Sequence, residues 1–336
     1  KALNLYRSIM DTVSRNKLGI KPLEPYLKKI NAVKNVSDLR KLFIEMETEG
    51  GIGFFGVGVG TDAKNSNRNV VNVGLGSLGL PDRDYYVSDE KDSKEKREKY
   101  HAHIIKMMSY LGEKPAQAKA SADKILALEI AMATPRLDRV ERRDRRKTYN
   151  PMTVAELQKL TPTINWTEYL KGVGLPVVDT LIVSQPKYMT ALETIFKENK
   201  VEDWKAYMRW TLLNRSAGML STEIGNANWE FFGRTLTGAV KQRPLDERAL
   251  QSVNGSFGEA LGKIYVEKKF PPEAKEKARK MIDNVFLAFE SRINNLPWMA
   301  PSTRANAIAK LKKFNVKIGY PDKWKDYSSV DIQANT

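Results

Sequence analysis

Residues 54–75 read FFGVGVGTDAKNSNRNVVNVGL, a pattern unlike that of the sequence on either side. Residues 54–60 and 69–75 alternate at a period of two, which is typical of β-strands. The eight residues between them, TDAKNSNR, are rich in turn formers. The stretch therefore predicts a β-hairpin with a long connection.

Helical spacing of apolar residues dominates on both sides of this hairpin. It predicts helices over residues 1–12 and 37–49, from residue 103 onward, and over residues 122–133, which are apolar nearly all round and indicate a buried helix. A capping box at residues 153–156 begins another helix. The chain is therefore predicted to be mainly α, with one small antiparallel β-hairpin and no sheet that needs crossover connections.

Prolines divide the C-terminal third of the chain. Pro271 and Pro272 begin a long helix and Pro297 ends it. Pro301 begins a short helix that runs through Leu311, and the last fifteen residues are predicted to be loop. The apolar stripe of the long helix consists of Ala278, Met281, Ile282, Val285, Phe289, Ile293 and Leu296.

Glycine is dense at the start of the hairpin. Residues 51–60 contain five glycines, but no Lys-Ser/Thr pair and no helix follow them, so a phosphate-binding loop is not supported. Glycine alternating with valine instead predicts a strand whose glycine face is closely approached by another segment.

Charge gives the next constraint. The 336 residues contain 56 lysines and arginines against 40 acidic residues, a net charge of +16. A nucleic-acid or membrane-surface partner, a missing acidic part of the protein, and an ordinary solvated surface all explain this excess. Cysteine is absent, which excludes disulfides, thiolate metal sites and a cysteine nucleophile.

The densest basic segment is residues 136–147, with seven basic and three acidic side chains. The interleaved acids predict local ion pairs rather than a phosphate track, and stacking aromatics are scarce there. The segment therefore favours a structural, solvated or interdomain face, and nucleic acid is not the favoured partner. The aromatic residues Trp204, Tyr207, Trp210, Trp229, Phe231 and Phe232 are predicted to pack in the core.

Histidine provides the sharpest test for a catalytic centre. The chain has two, His101 and His103, and on a helix positions two apart point about 200° apart. A zinc-peptidase helix needs two histidines four apart, with a glutamate beside the first. No such motif and no serine nucleophile elbow occur in the sequence. Both histidines are predicted to lie on the surface near a helix start.

Four stretches of the sequence together resemble one family, the neprilysin and endothelin-converting-enzyme family of zinc endopeptidases. Signature stretch 1 is GLPDRDYY at residues 79–86, directly after the hairpin. Signature stretch 2 is RRD at residues 142–144 with YNPMT at 149–153 and EL at 156–157. Signature stretch 3 is FGEALGKIYV at residues 257–266. Signature stretch 4 is WM at residues 298–299 with IGYPD at 318–322, and with Thr303, Ala307, Lys310 and Leu311 between them.

The signature positions are assigned a structural role. They are Gly79, Leu80, Pro81, Arg83, Tyr85, Tyr86, Arg142, Arg143, Asp144, Tyr149, Asn150, Glu259, Gly262, Tyr265, Trp298, Gly319, Tyr320 and Pro321. The resemblance holds over residues 1–327. It implies a multi-helix lid domain over residues 1–296 and a connecting segment over residues 297–336 that leads towards a catalytic domain.

Members of this family carry an HExxH helix, a downstream ExxxD and an Asn-Ala-Tyr-like strand, and none of these is in this chain. No catalytic or metal-ligating residue is therefore assigned here, and the substrate-binding residues are unassigned. The resemblance implies zinc in the complete enzyme, a C-terminal catalytic half of the same polypeptide as partner, and short peptides as substrates. This chain would form the cavity wall that limits substrate size and would be inactive alone.

Cysteine also bears on the type of family member. Animal members have a cysteine where the helix at residues 6–10 here reads YRSIM, which indicates a bacterial-type member. The family implies an extracytoplasmic location, in the periplasm or cell envelope, with the cytoplasm as the alternative. Two other functions stay open at this point, namely a basic helical nucleic-acid-binding protein and a helical scaffold without a catalytic half.

Overall fold

The computed structural model describes residues 1–48, 54–175 and 177–332 and divides into two compact units. The large unit comprises Thr12–Gln242. The small unit combines Lys1–Asp11 with Arg243–Thr336. Helices dominate both units, which confirms the prediction of a mainly α chain. The predicted division of the chain at residue 297 concerns the path towards a catalytic domain and stays a prediction.

The helices of the large unit surround one hydrophobic core. They are α2 (Thr12–Leu18), α3 (Glu24–Ala32), α4 (Val36–Thr48), α5 (Asp84–Val87), α6 (Lys91–Tyr110), α7 (Pro115–Ala133), α8 (Arg145–Thr148), α9 (Val154–Leu160), α10 (Trp166–Gly172), α11 (Pro186–Glu198), α12 (Val201–Ser216) and α13 (Thr222–Trp229). The helix predicted over residues 37–49 is α4, and Glu49 lies outside the described residues. The predicted capping box at Thr153 and Glu156 is present at the start of α9.

Four helices form the small unit, as far as the structure describes it. They are α1 (Ala2–Met10), α14 (Leu245–Lys269), α15 (Pro272–Asn294) and α16 (Pro301–Leu311). Prolines occupy the first turns of α15 and α16, which confirms the predicted starts. Proline is tolerated there because the backbone N–H groups of a first turn have no acceptor within the helix. Helix α14 breaks at Phe257, whose φ of −125° and ψ of 31° are not helical. Helix α1 packs against α14, and α15 packs against α16.

The predicted hairpin is present as β1 (Phe55–Thr61) and β2 (Asn69–Leu75), paired antiparallel with Phe55 opposite Leu75. Two further strands, β3 (Asn150–Thr153) and β4 (Thr180–Val183), complete a sheet of order β1-β2-β4-β3. Strand β4 runs parallel to β2 and antiparallel to β3. The hairpin itself is confirmed. The expectation that the chain has no sheet with crossover connections was wrong, because β4 pairs in parallel with β2. Strands β3 and β4 were not predicted because four residues are too few to show a period of two.

The glycine face of β1 also differs from expectation. A Cβ atom built at Gly58 would meet nothing within 4 Å, and one at Gly56 would meet only the Leu75 carbonyl oxygen at 3.7 Å. No segment approaches this face closely, so that prediction was wrong for the described glycines. Gly51 and Gly53 lie outside the described residues. Strand β1 is an edge strand of the sheet, and its glycine face is open.

Helix α7 contains the segment that was predicted to be buried all round. Ile125 and Leu128 are buried, but Lys124 and Ala127 are exposed, and the acidic Glu129 is buried. The prediction was therefore wrong about the exposed face. Alanine counts as apolar in a sequence pattern. Its exposure to water costs little free energy, because its side chain has a small apolar area. None of the helices in the described ranges combines the length and apolar character that a membrane crossing requires.

Aromatic rings fill the centre of the large unit. Phe54 contacts the ring of Phe43 edge-on, with centroids 4.7 Å apart, and the ring of Trp204 in the same way at 4.7 Å. Trp204, Tyr207, Trp210 and Phe231 are buried, which confirms the predicted core role for them. Trp229 and Phe232 are only partly buried, at the edge of this core.

We expect Phe54→Ala to lower the free energy of unfolding by about 3–5 kcal/mol, because the vacated ring leaves a cavity between Phe43 and Trp204. The control is Val59→Ala on strand β1, whose side chain is 58% exposed and should cost less than about 0.5 kcal/mol. Urea unfolding followed by tryptophan fluorescence measures both. Equal costs for the two variants would contradict the assignment of Phe54 to the core.

Candidate functional site

The two histidines occupy opposite sides of α6. The Nε2 atom of His101 lies 2.7 Å from the Asp123 Oδ1 atom on the neighbouring α7. His103 is buried, and its ring stacks on Phe231 with centroids 4.9 Å apart. Burial, with a smaller contribution from Lys106, lowers the pKa of His103 to about 3, so the ring is neutral. The prediction that both histidines lie on the surface near a helix start was wrong for His103, which is a core residue in the middle of α6.

Histidine and acidic side chains are the candidate metal ligands in residues 1–48, 54–175 and 177–332. Within these ranges, no group of three or more histidine or acidic side chains is arranged to hold a metal ion.

Signature stretch 1 is anchored on a buried carboxylate. The backbone N–H of Gly79 donates to Glu129 Oε1 at 3.1 Å. The Tyr86 hydroxyl donates to Glu129 Oε2 at 2.9 Å and accepts the Leu80 N–H at 2.6 Å. Glu129 thus holds both ends of the turn that joins strand β2 to α5.

Gly79 is required by the packing at this point. A Cβ atom there would lie 1.6 Å from the Tyr100 hydroxyl oxygen. The same hydroxyl accepts the indole N–H of Trp210 at 3.2 Å, so the ring cannot move aside without breaking a buried hydrogen bond. Leu80 and Tyr86 are buried, whereas Pro81 is exposed. Tyr85 is partly exposed, and its backbone carbonyl accepts a hydrogen bond from Arg97 at 2.9 Å.

Burial raises the pKa of Glu129 to about 7, while hydrogen bonds from Tyr100, Tyr86 and Gly79 act in the opposite direction. A carboxylate that is removed from water favours its neutral form unless enough donors surround it. Glu129 was missed in the sequence because it lies within an apolar helical segment. The sequence signal that could have revealed its burial is a single acidic residue among the apolar positions of that helix.

Signature stretch 2 links distant parts of the large unit. Arg142 Nη2 donates to Asp82 Oδ2 of signature stretch 1 at 2.7 Å. The Tyr149 hydroxyl donates to Asp62 Oδ1 in the hairpin connection at 2.8 Å. The Asn150 side chain donates to the Val183 carbonyl of β4 at 3.0 Å.

Carboxylates in this region are held in their charged form. Hydrogen bonds from the Lys64 backbone, Tyr149 and Arg68 lower the pKa of Asp62 to about 2. Asp144 caps α8 by accepting the Arg146 N–H at 2.9 Å, and the Arg146 side chain lowers its pKa to about 2.

The basic segment at residues 136–147 forms local ion pairs, as predicted. Arg146 pairs with Asp144 at 2.8 Å and Lys147 with Glu141 at 2.7 Å. Arg143, which lies between Glu141 and Asp144 in the sequence, is exposed. The acids that alternate with the basic residues along the sequence therefore neutralise part of this segment.

Signature stretches 3 and 4 come together in the small unit. Glu259 Oε2 accepts the Lys325 N–H at 2.7 Å, and a Cβ atom at Gly262 would meet the Trp324 ring at 3.4 Å. The Tyr320 ring stacks on Trp324 with centroids 5.9 Å apart. The segment after α16 is thereby fastened along α14.

The turn at Gly319 depends on its lack of a side chain. Its φ of +72° lies in the left-handed region, and a Cβ atom there would come within 2.9 Å of the Phe270 ring. Lys275 Nζ donates to the Tyr320 carbonyl at 2.9 Å and lies 4.3 Å from the centre of the Tyr320 ring. Pro321, which follows, is exposed.

The small unit exposes most of its large apolar side chains. Among its described residues, the fully buried apolar ones are Ile9, Ala249, Val253 and Phe257. Helix α15 has no buried residue at all. Side chains of α14, α15 and the turn after α15 form an exposed set that we call the apolar face, namely Ile264, Tyr265, Met281, Val285, Leu287, Phe289 and Trp298.

Most of the large side chains of the apolar face are more than half exposed to solvent. Met281 is 60% exposed, Phe289 is 54% exposed and Trp298 is 73% exposed. Helical spacing correctly predicted α15, and Met281, Val285 and Phe289 of its apolar stripe are exposed. Large apolar side chains exposed in such number usually mark an interaction site.

A groove of about 590 Å³ follows the kinked helix α14 beside this face. Leu250, Leu261 and Tyr265 supply its apolar lining, and Arg243 and Glu247 supply charges near one end. The break at Phe257 creates the concave surface, because the two halves of the helix point in different directions.

A family model described as peptidase family M13, for the N-terminal part of such proteins, matches residues 1–321. The chain belongs to peptidase family M13. The resemblance to neprilysin and the endothelin-converting enzymes is thereby confirmed for the N-terminal, helical part of that family.

Individual M13 relatives extend over this whole chain. Endothelin-converting enzyme 1 of Cavia porcellus is 30% identical over 350 residues, which cover 100% of this chain and 46% of that protein. Neprilysin-3 of Drosophila melanogaster is 28% identical over 288 residues, which cover 82% and 36%. The chain thus spans about half, or less, of the length of the curated relatives that it matches.

Solved structures give the same result. The crystal structure of Mycobacterium tuberculosis zinc metalloprotease Zmp1 with an inhibitor matches with a TM-score of 0.91 and 34% identity, over 99% of this chain and 50% of that one. PepO from Lactobacillus rhamnosis HN001 has a TM-score of 0.82 at 18% identity and covers 96% and 51%, so it shows a shared fold.

We expect the burial of Glu129 to make stability depend on pH. Because its folded pKa of about 7 lies above the ordinary value of 4.5, the folded protein keeps a proton that the unfolded chain loses. The free energy of unfolding should fall by on the order of 3 kcal/mol as the pH rises through this window. Glu129→Gln removes this dependence, so the melting temperature of the variant relative to the parent should rise from pH 5 to pH 8.

Glu98→Gln, at an exposed position on α6, is the matched control and should shift the melting temperature by a constant amount. Differential scanning calorimetry at several pH values measures both variants. A Glu129→Gln difference that does not change with pH would contradict a carboxyl group that titrates near neutral pH.

Proposed function

We propose that this chain is the non-catalytic N-terminal part of a zinc-dependent oligopeptide endopeptidase, and that it forms the cavity wall that limits substrates to short peptides. The match of residues 1–321 to the N-terminal model of peptidase family M13 carries this proposal. It is supported by the relatives, which continue for about as many residues again beyond the matched part.

The two halves of such an enzyme would have different roles in catalysis and in substrate selection. Zinc, held by the C-terminal half, would supply a polarised carbonyl and an activated water. The sequence of this chain contains no HExxH motif, and its described residues form no metal-binding group. The large unit, with its closed aromatic core, would instead supply a rigid wall that excludes bulky substrates.

The small unit would dock on the catalytic half through the apolar face. Covering a large apolar side chain contributes roughly 1.5–3 kcal/mol. Burial of the seven such side chains, at Ile264, Tyr265 and along α15 to Trp298, would therefore be strongly favourable. The occupant that fits is the half of the polypeptide that the M13 relatives carry in addition to the matched part.

A nucleic-acid partner is not favoured. Arg142, Arg146 and Lys147 pair with acidic side chains at 2.7–2.8 Å, so part of the positive charge of the densest basic segment is neutralised locally. The net charge of +16 then belongs to the solvated surface. For location, we propose an extracytoplasmic site, the bacterial periplasm or cell envelope, and fractionation of cells with an antibody to this chain tests it.

We expect the full-length protein to cleave peptides of about ten residues and to lose this activity with a zinc chelator. The 336-residue chain alone should be inactive. The value of kcat/KM should fall at least about tenfold for unfolded protein substrates that exceed the cavity, because they cannot reach the metal. Chelator-sensitive cleavage by the isolated chain, or equal rates for short and long substrates, would contradict the cavity-wall role.

We expect Val285→Ser with Phe289→Ser in the full-length protein to weaken the contact between the halves. Because both side chains are exposed in this chain, the variant should leave the stability of the isolated 336-residue chain within about 0.5 kcal/mol. The full-length protein should instead lose several degrees of melting temperature and gain sensitivity to limited proteolysis.

Val240→Ser is the control, since Val240 is 88% exposed and lies in the large unit. It should leave both proteins unchanged. If the double variant behaves like this control in the full-length protein, the apolar face is not the docking surface.

A further inference from the structure

A cavity of about 370 Å³ lies in the large unit between signature stretches 1 and 2. The residues after β2 line one side of it, and the segment that follows α7 lines the other. Its apolar walls come from Leu75, Leu78, Leu80 and Leu137. Leu80 also connects this lining to the Glu129 network, because its N–H donates to the Tyr86 hydroxyl at 2.6 Å.

Positive charge dominates the polar part of the lining. Three arginines, Arg83, Arg136 and Arg142, face one acidic residue, Asp82. Asp82 Oδ2 accepts Arg142 Nη2 at 2.7 Å, and Arg83 Nη1 donates to Asp84 Oδ1 at 3.2 Å. With Asp82 and Asp84 both counted, the three arginines keep an excess of one positive charge.

Two guanidinium groups at this cavity have unmet hydrogen-bonding capacity. Among the residues that the structure describes, Arg136 Nη2 and Arg83 Nε are buried without a hydrogen-bond partner, and so is the acceptor Asp82 Oδ1. Arg136 is held in place from behind, because its Nε donates to the Met132 carbonyl at 3.0 Å and its guanidinium lies 5.1 Å from the centre of the Tyr188 ring. Buried donors without an acceptor are costly and rare, so a group that supplies acceptors here would be stabilised.

We propose that this cavity binds a carboxylate group carried on a small apolar body, with Arg136, Arg83 and Arg142 as its cationic donors. Guanidinium groups match the planar geometry of a carboxylate and bind it more strongly than a neutral acceptor. The leucines of the lining provide the surface for the apolar body. A volume of about 370 Å³ exceeds what a bare inorganic anion fills and suits an organic acid of about the size of one residue.

Asp82 tunes this site from inside. Its carboxylate holds Arg142 and repels a second carboxylate, so it lowers the affinity of the site. A carboxylate of this kind occurs both in free organic acids and at the C-terminus of a peptide, and the two share the same binding chemistry.

N-acetyl-leucine tests the proposal, with N-acetyl-leucinamide as the neutral control of the same shape. Isothermal titration calorimetry with the protein in a constant chloride buffer should show saturable binding of the acid, and binding of the amide should be at least about tenfold weaker. A pentapeptide that ends in leucine distinguishes the sources. Binding at least as tight as that of N-acetyl-leucine assigns the site to peptide C-termini, and binding of the small acid alone assigns it to free acids.

Substitutions separate this site from a general effect of charge. Arg142→Gln and Arg136→Gln should each weaken binding of N-acetyl-leucine about tenfold or more, whereas Asp82→Asn should strengthen it several-fold. Arg145→Gln removes the same charge from an exposed position and should change nothing. If Arg136→Gln does not fold, Arg142→Gln and Asp82→Asn decide. Equal binding of acid and amide, or weaker binding in Asp82→Asn, would overturn the proposal.

Discussion

Burial of apolar surface is the constraint on which this structure depends, and the two units meet it differently. The large unit encloses its aromatic side chains, and Trp204, Tyr207 and Trp210 are almost inaccessible to solvent. The small unit has four fully buried apolar residues among those described, and it exposes side chains as large as Phe289 and Trp298. Hydrophobic burial is the dominant favourable contribution to folding. The small unit therefore gains much less stabilisation from buried apolar side chains than the large unit does. Under the proposed function, the residues that the M13 relatives carry in addition to the matched part would cover these exposed side chains.

Polar groups organise the large unit around this core. Glu129 gathers the ends of signature stretch 1, and Asp82 and Asp62 connect that region to signature stretch 2. A buried carboxylate is costly unless donors surround it, so such a group specifies one arrangement of the segments that supply the donors. The short and tightly spaced motifs in the sequence are therefore the places where distant segments are fastened together.

Local rules predicted the local parts of this structure. Prolines placed the starts of α15 and α16, a capping box placed the start of α9, and a period of two placed the hairpin. Strands β3 and β4 were missed because four residues are too few for periodicity, and they exist through pairing with distant segments. The buried states of His103 and Glu129 were missed for the same reason, since burial depends on which helices pack together. The stripe of α15 shows the converse, because amphipathic spacing predicts a face that needs a partner and does not reveal whether this chain contains it.

Hydroxyl-radical footprinting of Met281, Phe289 and Trp298 tests most directly whether the apolar face is the surface that docks on a catalytic half. Oxidation rates of these side chains would be compared between the 336-residue chain and the full-length protein, with Val240 in the large unit as an exposed reference. We expect the three residues to oxidise at least about tenfold more slowly in the full-length protein, because a buried side chain is shielded from solvent, while Val240 stays unchanged. Equal oxidation rates for Met281, Phe289 and Trp298 in the two proteins would contradict it.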